Sequence, residues 1–112
     1  MEIAELIARE VIRDVLARYN HAGDRGRFDE MVELFTADGV LEIGGDPPIV
    51  GRVAIGRFFA DTAASLAAQT EVPLLRHHVS SVLIDVERDR RGATASSYFL
   101  VVTERGIDHW GR

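Results

Sequence analysis

Residues 79–102 contain two runs rich in β-branched and aromatic residues, VSSVLIDV and SSYFLVV, on either side of the charged segment ERDRRG. Such runs around a short polar segment are typical of two antiparallel strands joined by a hairpin loop. The next segment, TERGIDHW, repeats the pattern with a turn at Arg105 and Gly106 and the start of another strand. The C-terminal part of the chain therefore predicts a meander of antiparallel strands.

The N-terminal part of the chain predicts helices. Apolar residues at spacings of three and four predict a one-sided helix from Ile3 to Tyr19. The segment NHAGDRGR (20–27) interrupts this pattern, and a second, shorter helix is predicted to begin near Phe28. A short strand is predicted in VLEIGG (40–45), and an alanine-rich third helix over residues 52–69. The apolar face of the first helix comprises Ile3, Leu6, Ile7, Val11, Val15, Leu16 and Tyr19.

This order of elements predicts an α+β fold, with the helices packed on one face of an antiparallel sheet. Strict alternation puts Val82, Ile84 and Val86 on one side of their strand and Val79 and Leu83 on the other. Both faces of the strand are therefore apolar and need cover. We expect helices on one face and a second copy of the chain, in a homodimer, on the other.

Length and composition narrow the class of protein. A chain of 112 residues is expected to form one domain, and its net charge of −5 comes from intermixed acids and bases, which gives no indication of nucleic-acid binding. The absence of cysteine excludes disulfides, thiolate metal ligands and a thiol nucleophile. The N-terminus resembles neither a signal peptide nor a membrane span, so we expect a cytoplasmic protein with no membrane partner.

His77 and His78 are adjacent in the predicted strand RHHVSSVLIDV (76–86). Neighbouring side chains of a strand point to opposite faces, so the two histidines cannot share one role. Strict alternation groups His78 with Val82, Ile84 and Val86. An imidazole can give and accept a proton near neutral pH, so one of the two is a candidate for acid–base chemistry and the other for packing or an interface.

Other chemistries find little support in the sequence. A metal site needs about three converging ligands, and neither H-x-x-x-H nor E-x-x-H occurs. The serines at 80, 81, 96 and 97 lie in predicted strands without the strand–turn–helix elbow of a nucleophile. The segment EIGGDPP lacks the lysine and the helix of a phosphate-binding loop. We therefore expect no metal and no cofactor.

Five segments, in order, resemble the SnoaL-like family of the nuclear transport factor 2-like superfamily, which includes scytalone dehydratase, ketosteroid isomerase and polyketide cyclases. These segments are ARYNHAGDRGRFDEMVELFTADGVLEIGG, GRVAIGRFF, RHHVSSVLIDV, ATASSYFLVV and GIDHWGR. The resemblance implies a curved antiparallel sheet wrapped by three N-terminal helices into a cone, with an apolar pocket at one end. The same scaffold hosts many reactions, so it specifies the fold better than the chemistry.

The resemblance also implies site residues. Asp24 lies too early to cap the second helix, and in the family the aspartate of this segment faces the pocket, where it pairs with a histidine. His78 precedes Ser81 by three residues, as in scytalone dehydratase-like members, whereas His77 has the spacing of another family pattern. We favour His78, with Asp24 to orient it and Tyr19 or His109 to polarise a substrate oxygen. Residues expected to line the pocket are Tyr19, Phe28, Met31, Phe35, Leu41, Phe58, Phe59, Tyr98, His109 and Trp110.

The sequence thus predicts a small-molecule pocket protein that dehydrates, isomerises or cyclises a small cyclic or polyketide-like substrate by acid–base chemistry without a cofactor. The alternative is a non-catalytic ligand-binding or dimerisation module of the same fold. Family members usually continue past the position of DHWGR, to complete that strand and to add a last one. We therefore expect a sheet that lacks its last strand, with an edge that pairs with a partner chain or lowers stability. His21 is expected in a solvated loop.

Overall fold

The computed structural model describes residues 1–69, 71 and 74–112 and confirms the α+β class. Three helices and antiparallel strands alternate in the predicted order. The elements are α1 (Ile3–Asp24), α2 (Phe28–Val32), β1 (Val40–Leu41), β2 (Ile49–Val50), α3 (Arg52–Ala67), β3 (Arg76–Val86), β4 (Ala93–Thr103) and β5 (Gly106–Gly111). β2 was not predicted, and α2 is a short helix that ends at Val32.

The chain divides into two compact units. The sheet unit comprises Met1–Ala17 and Pro73–Arg112, and the helical unit comprises Arg18–Val72. The larger sheet, in the order β3–β4–β5, belongs to the sheet unit, and the small β1–β2 sheet belongs to the helical unit.

The predicted hairpin forms the centre of the sheet unit. β3 and β4 pair antiparallel over their length, and β4 pairs antiparallel with β5. The ERDRRG segment closes the hairpin through a hydrogen bond of 2.9 Å from the Glu87 N–H to the Gly92 carbonyl. Ile84 of β3 and Val101 of β4 are fully buried. The meander is therefore confirmed, with its buried contacts on one face of the sheet.

The first part of α1 lies in the sheet unit with its apolar face turned the other way from our expectation. Ile3 and Ile7 are 76% and 58% exposed. Arg9 is half-buried instead. Its guanidinium is paired with the Glu5 carboxylate at 2.8 Å and donates to the carbonyl of Ile84. Leu6, Val11 and Val15 are exposed as well, so the apolar face predicted for α1 lies open from Ile3 to Val15. The side of the helix that meets β3 carries the Arg9–Glu5 pair instead.

α1 continues through the segment in which we predicted a break. It ends at Asp24 in a Schellman motif, in which the Arg27 N–H donates to the Ala22 carbonyl at 2.9 Å and the Gly26 N–H to that of Gly23 at 3.1 Å. Gly26 has φ +69°, the left-handed conformation that this motif requires. His21 is therefore helical rather than in a loop, although it is exposed as expected.

The helical unit has its own apolar core. Ala22, Met31, Ile55 and Phe59 are buried in it. Partly buried residues complete the cluster: Tyr19, Phe28, Val32, Phe35, Leu41, Ile49 and Phe58. This core fixes the relative positions of α2, α3 and the last turns of α1.

The last strand, which we expected to be lacking, is present. β5 pairs with β4 from Gly106 opposite Thr103 to Gly111 opposite Phe99. Beside the turn that precedes it, the Leu74 N–H donates to the Glu104 carboxylate at 2.9 Å, and the N–H of Glu104 itself also binds this carboxylate. Both hydrogen bonds lower the pKa of Glu104, and the bond from its own N–H has the larger effect.

No described helix is both long and apolar enough to cross a bilayer.

Candidate functional site

A β-bulge in β3 decides which histidine faces which side of the sheet. The pairing of β3 with β4 shifts by one residue between Ser80 and Leu83, and Ser81 has φ +52°. One extra residue reverses the alternation on either side of the bulge. His77 and Val79 therefore share the covered face with Ile84. The predicted grouping of His78 with Val82, Ile84 and Val86 is wrong, because it assumed an uninterrupted strand.

His77 lies in a row of three residues across the sheet. It is the pairing partner of Val101 on β4, and Val101 is in turn the partner of His109 on β5. Directly paired residues project to the same face, so two histidines flank the fully buried Val101, with their backbones roughly 10 Å apart. His77 is half-buried, whereas the His109 side chain is 56% exposed.

The His109 ring contacts two neighbouring side chains, Asp108 and Phe99. Its Nδ1 lies 2.5 Å from Oδ2 of Asp108, and its ring meets that of Phe99 edge-on with 5.7 Å between centroids. A Cβ at Gly111 would lie 2.8 Å from the Phe99 ring, so the absence of a side chain there lets Phe99 occupy this position. The carboxylate favours the Nδ1-protonated tautomer and directs Nε2 away from itself.

The other face of the sheet carries His78, Tyr98 and Trp110. His78 is paired with Leu100, which is paired with Trp110, and Tyr98 is paired with Ser80. Trp110 is 78% exposed and Tyr98 is 56% exposed. Their predicted roles in a pocket stay predictions, but the register separates them from the face that carries His77 and His109.

Asp24 and Tyr19 lie in the helical unit. Asp24 is half-buried in the last turn of α1, where the helix dipole disfavours a carboxylate and the Schellman motif needs no help from its side chain. Tyr19 packs edge-on against Phe35 with 6.1 Å between ring centroids, and burial raises the pKa of its phenol above the ordinary value of 10.0. The phenol therefore stays protonated at neutral pH as a hydrogen-bond donor.

The predicted pocket residues of the helical unit are brought together as one cluster. Tyr19, Phe28, Met31, Phe35, Leu41, Phe58 and Phe59 all belong to its core or pack against it. The Phe28 and Phe59 rings are stacked with 6.0 Å between centroids.

Beside this cluster, α2 and α3 form an open groove of about 480 Å³ that sequence reasoning missed. Phe28, Val32, Gly56, Phe59, Ala60 and Ala63 supply its apolar lining, and Gly26, Asp29 and Glu33 complete it. Asp29 and Glu33 were visible in the sequence as neighbours on one helical face, but nothing in the sequence brought α3 beside them.

The described residues contain no group of three or more His, Asp or Glu side chains positioned to hold a metal ion. The histidine, tyrosine and aspartate side chains singled out above can transfer protons and form hydrogen bonds. Imidazoles supply this chemistry on the sheet, and a carboxylate and a neutral phenol supply it in the helical unit.

Substitutions at Ser81 test the bulge. The left-handed region costs a β-branched residue roughly 1–2 kcal/mol, whereas glycine enters it freely. We expect Ser81→Val to lower the free energy of unfolding by about 1–2 kcal/mol and Ser81→Gly to leave it nearly unchanged, as measured by urea denaturation. Ser80→Val, at an exposed position outside the left-handed region, is the matched control. Equal stability of the two valine variants would contradict the bulge.

Comparison with known proteins identifies the relatives of this chain. A model of the SnoaL-like domain matches residues 4–111. No curated protein matches the chain.

Solved structures resemble the chain over nearly its whole length. A structure from Catenulispora acidiphila is 28% identical with a TM-score of 0.76, and the match covers 99% of this chain and 77% of that chain. Another from Catenulispora acidiphila, in complex with S-DNPA, is 31% identical with a TM-score of 0.70, covering 97% and 75%. An NTF2-like protein with a cystatin-like fold from Novosphingobium aromaticivorans is 26% identical with a TM-score of 0.67, covering 98% and 72%.

Proposed function

Because this chain belongs to the SnoaL-like family, we propose that it binds a small cyclic or polyketide-like molecule and catalyses its dehydration, isomerisation or cyclisation without a cofactor. A relative that is 31% identical is in complex with the small-molecule ligand S-DNPA, which supports a small-molecule partner for this chain. The family includes several chemistries, so the reaction class must be argued from the side chains of this chain.

The observation that carries the proposal is the position of His77. It is half-buried beside the fully buried Val101, on the face that also carries His109. Partial exclusion of water strengthens the interactions of an imidazole with a bound substrate. We infer that His77, rather than His78, transfers the proton, since His78 lies on the opposite and more exposed face.

The three candidate reactions begin with the same step. An imidazole nitrogen takes a proton from the carbon next to a ketone, and the C–H electron pair moves to form an enolate. In a dehydration, the enolate expels the β-hydroxyl group, which leaves as water with the proton returned by the imidazolium. In an isomerisation, the imidazolium returns the proton to another carbon. In a cyclisation, the enolate carbon attacks a second carbonyl, whose π electrons move to its oxygen, and the imidazolium protonates the resulting alkoxide.

The enolate oxygen needs a hydrogen-bond donor, and Tyr19 and His109 are the proposed candidates; burial raises the pKa of the Tyr19 phenol, which stays protonated at neutral pH. We also propose Asp24, which is half-buried in the last turn of α1, as a further acid–base group of the reaction. These two roles are separable by Tyr19→Phe and Asp24→Asn.

Incubation with a panel of β-hydroxy ketones and linear β-polyketones, followed by mass spectrometry, tests the proposed function. Loss of water from a panel member, or a cyclised product, supports an enzyme. Ligands that bind without conversion would support the non-catalytic alternative and overturn the proposed reaction. Protein inactivated by heat is the control for spontaneous dehydration.

We also propose that the chain forms a homodimer through the outer face of the sheet, which is the face that carries His78, Tyr98 and Trp110. Leu83, Tyr98 and Trp110 on this face are 60%, 56% and 78% exposed. Large aromatic residues at the centre of an interface contribute most of its binding energy. The apolar surface that they leave open is the kind that a second sheet covers.

Sedimentation of Trp110→Asp tests this interface. We expect the wild type to sediment as a dimer and Trp110→Asp to raise the dissociation constant at least about thirtyfold, which corresponds to roughly 2 kcal/mol. Val53→Asp is the control, since Val53 is 71% exposed but lies on α3. A wild type that is monomeric, or a Trp110 variant that dimerises as well as the wild type, would overturn the proposal.

A further inference from the structure

The groove between α2 and α3 combines an apolar lining with carboxylates at its edge. Its volume of about 480 Å³ is within the range of pockets that hold small organic molecules. Phe28 and Phe59 contribute stacked rings, with Phe59 buried and Phe28 partly exposed. The groove is therefore shaped for an apolar body.

The charge at the edge has one sign. Asp29 and Glu33 are the titratable residues among those that line the groove, and both are exposed. They are four residues apart on α2 and its continuation, where two like charges repel each other. Neither carboxylate has a salt-bridge partner in the part of the chain that the structure describes, whereas the neighbouring Glu30 lies 3.9 Å from Arg27.

Gly56 gives the groove its depth. A Cβ at this position would meet only the Val32 methyl groups, at 3.8 and 3.9 Å, which is ordinary contact. Packing therefore does not require a glycine here, and a glycine inside a helix is destabilising relative to alanine. What the glycine provides is open space over the apolar lining.

We propose that this groove binds an organic ammonium ion with an apolar body, with the ammonium group between Asp29 and Glu33. The carboxylates neutralise the cation, and its charge removes their mutual repulsion. The Phe28 ring, at the same groove, adds the attraction of an aromatic face for a cation. This site goes beyond the proposed acid–base function and does not rest on it.

Titration of the full-length protein with 2-phenylethylammonium, followed by ¹H–¹⁵N NMR, tests the proposal. We expect the amide signals of Gly26, Glu33 and Gly56 to shift most. The neutral 2-phenylethanol is expected to bind about fivefold to tenfold more weakly, since exposed ion pairs contribute modestly, and 3-phenylpropionate is expected to bind more weakly still. Salt is expected to weaken the binding of the amine but not that of the alcohol.

A double variant that combines Asp29→Asn with Glu33→Gln is expected to bind the amine at most about twofold more tightly than the alcohol. Glu30→Gln, on the same helix but outside the groove, is the matched control and is expected to keep the preference. Ala60→Leu is expected to weaken the amine and the alcohol equally by filling the groove, without removing either carboxylate.

Equal binding of amine and alcohol to the wild type would overturn the proposal, as would shifts confined to residues that do not line the groove. A preference that survives the combined Asp29→Asn and Glu33→Gln substitution would overturn it as well. The readout is binding without turnover, so its failure is distinguishable from the failure of the proposed reaction.

Discussion

Replacing His77 by glutamine is expected to lower kcat for the reaction by about 10²–10⁴-fold, the usual contribution of a general acid–base group. Glutamine keeps a similar size and a hydrogen-bonding end but cannot carry the proton. Because His78 lies on the opposite face of the sheet, His78→Gln is expected to change kcat by less than about threefold.

The measurement is steady-state turnover of whichever substrate the mass-spectrometric panel identifies, with both variants compared at one pH. Far-UV circular dichroism and urea denaturation establish that each variant is folded. A large loss of kcat in His78→Gln with normal turnover in His77→Gln would contradict our assignment. That result would instead support His78, the histidine that the family spacing favours, as the residue that transfers the proton.

Replacing Ile55 by alanine is expected to lower the free energy of unfolding by about 2–5 kcal/mol, the usual cost of an Ile→Ala change in a core. Ile55 is 0% exposed and lies in the core cluster with Met31 and Phe59. The better helix propensity of alanine offsets only a few tenths of a kcal/mol. Val53→Ala, at an exposed position of the same helix, is expected to stay within about 0.5 kcal/mol of the wild type.

Urea denaturation followed by circular dichroism gives this free energy, and a value for Ile55→Ala within the range of the Val53→Ala control would contradict the core assignment. Tryptophan fluorescence, recorded on the same samples, adds a test of the single-domain prediction. The one tryptophan, Trp110, lies in the sheet unit, whereas Ile55 lies in the helical unit. If the chain unfolds as one domain, Ile55→Ala lowers the urea midpoint of the fluorescence transition as much as that of the circular dichroism transition. Separate transitions would contradict the single-domain prediction.

The sequence predicted the elements that depend on local pattern. The β-branched runs of β3 and β4 have few alternatives to an extended backbone, and the charged segment between them leaves only a tight connection. The apolar spacing of α3 and its alanines placed this helix within two residues of its observed end. The aromatic residues predicted for a pocket in the N-terminal part of the chain also came together, because a helical face of phenylalanines is buried wherever the helix packs. Tyr98 and Trp110 did not join them.

What the sequence did not reveal depends on contacts between distant segments. Ser81 enters the left-handed region only because the pairing of β3 with β4 needs an extra residue, and serine carries no strong signal for that conformation. The pair Ser80–Ser81 inside an apolar run was the available hint. Periodicity gave α1 an apolar face, but it could not show that Arg9 and Glu5 would occupy the covered side.

The candidate site was predicted in the same uneven way. Both histidines were singled out from their residue type, and the choice of His78 followed from the family spacing to Ser81. The face of each histidine was predicted by counting along an uninterrupted strand, and the bulge reversed that count. The row of His77, Val101 and His109 combines three strands, so no local pattern contained it. Asp24 was identified by the family resemblance, and its catalytic role stays a prediction; the structure places it in the last turn of α1.

The central claim, that this chain removes a proton next to a carbonyl without a cofactor, is tested most directly by deuterium exchange. Purified protein, dialysed against EDTA, is incubated in D₂O with a small cyclic ketone, and loss of the α-proton signal is followed by NMR. We predict catalysed exchange in the wild type, at least about a hundredfold slower in His77→Gln and nearly unchanged in His78→Gln. Exchange no faster than in buffer, or equal in the wild type and His77→Gln, would contradict the account.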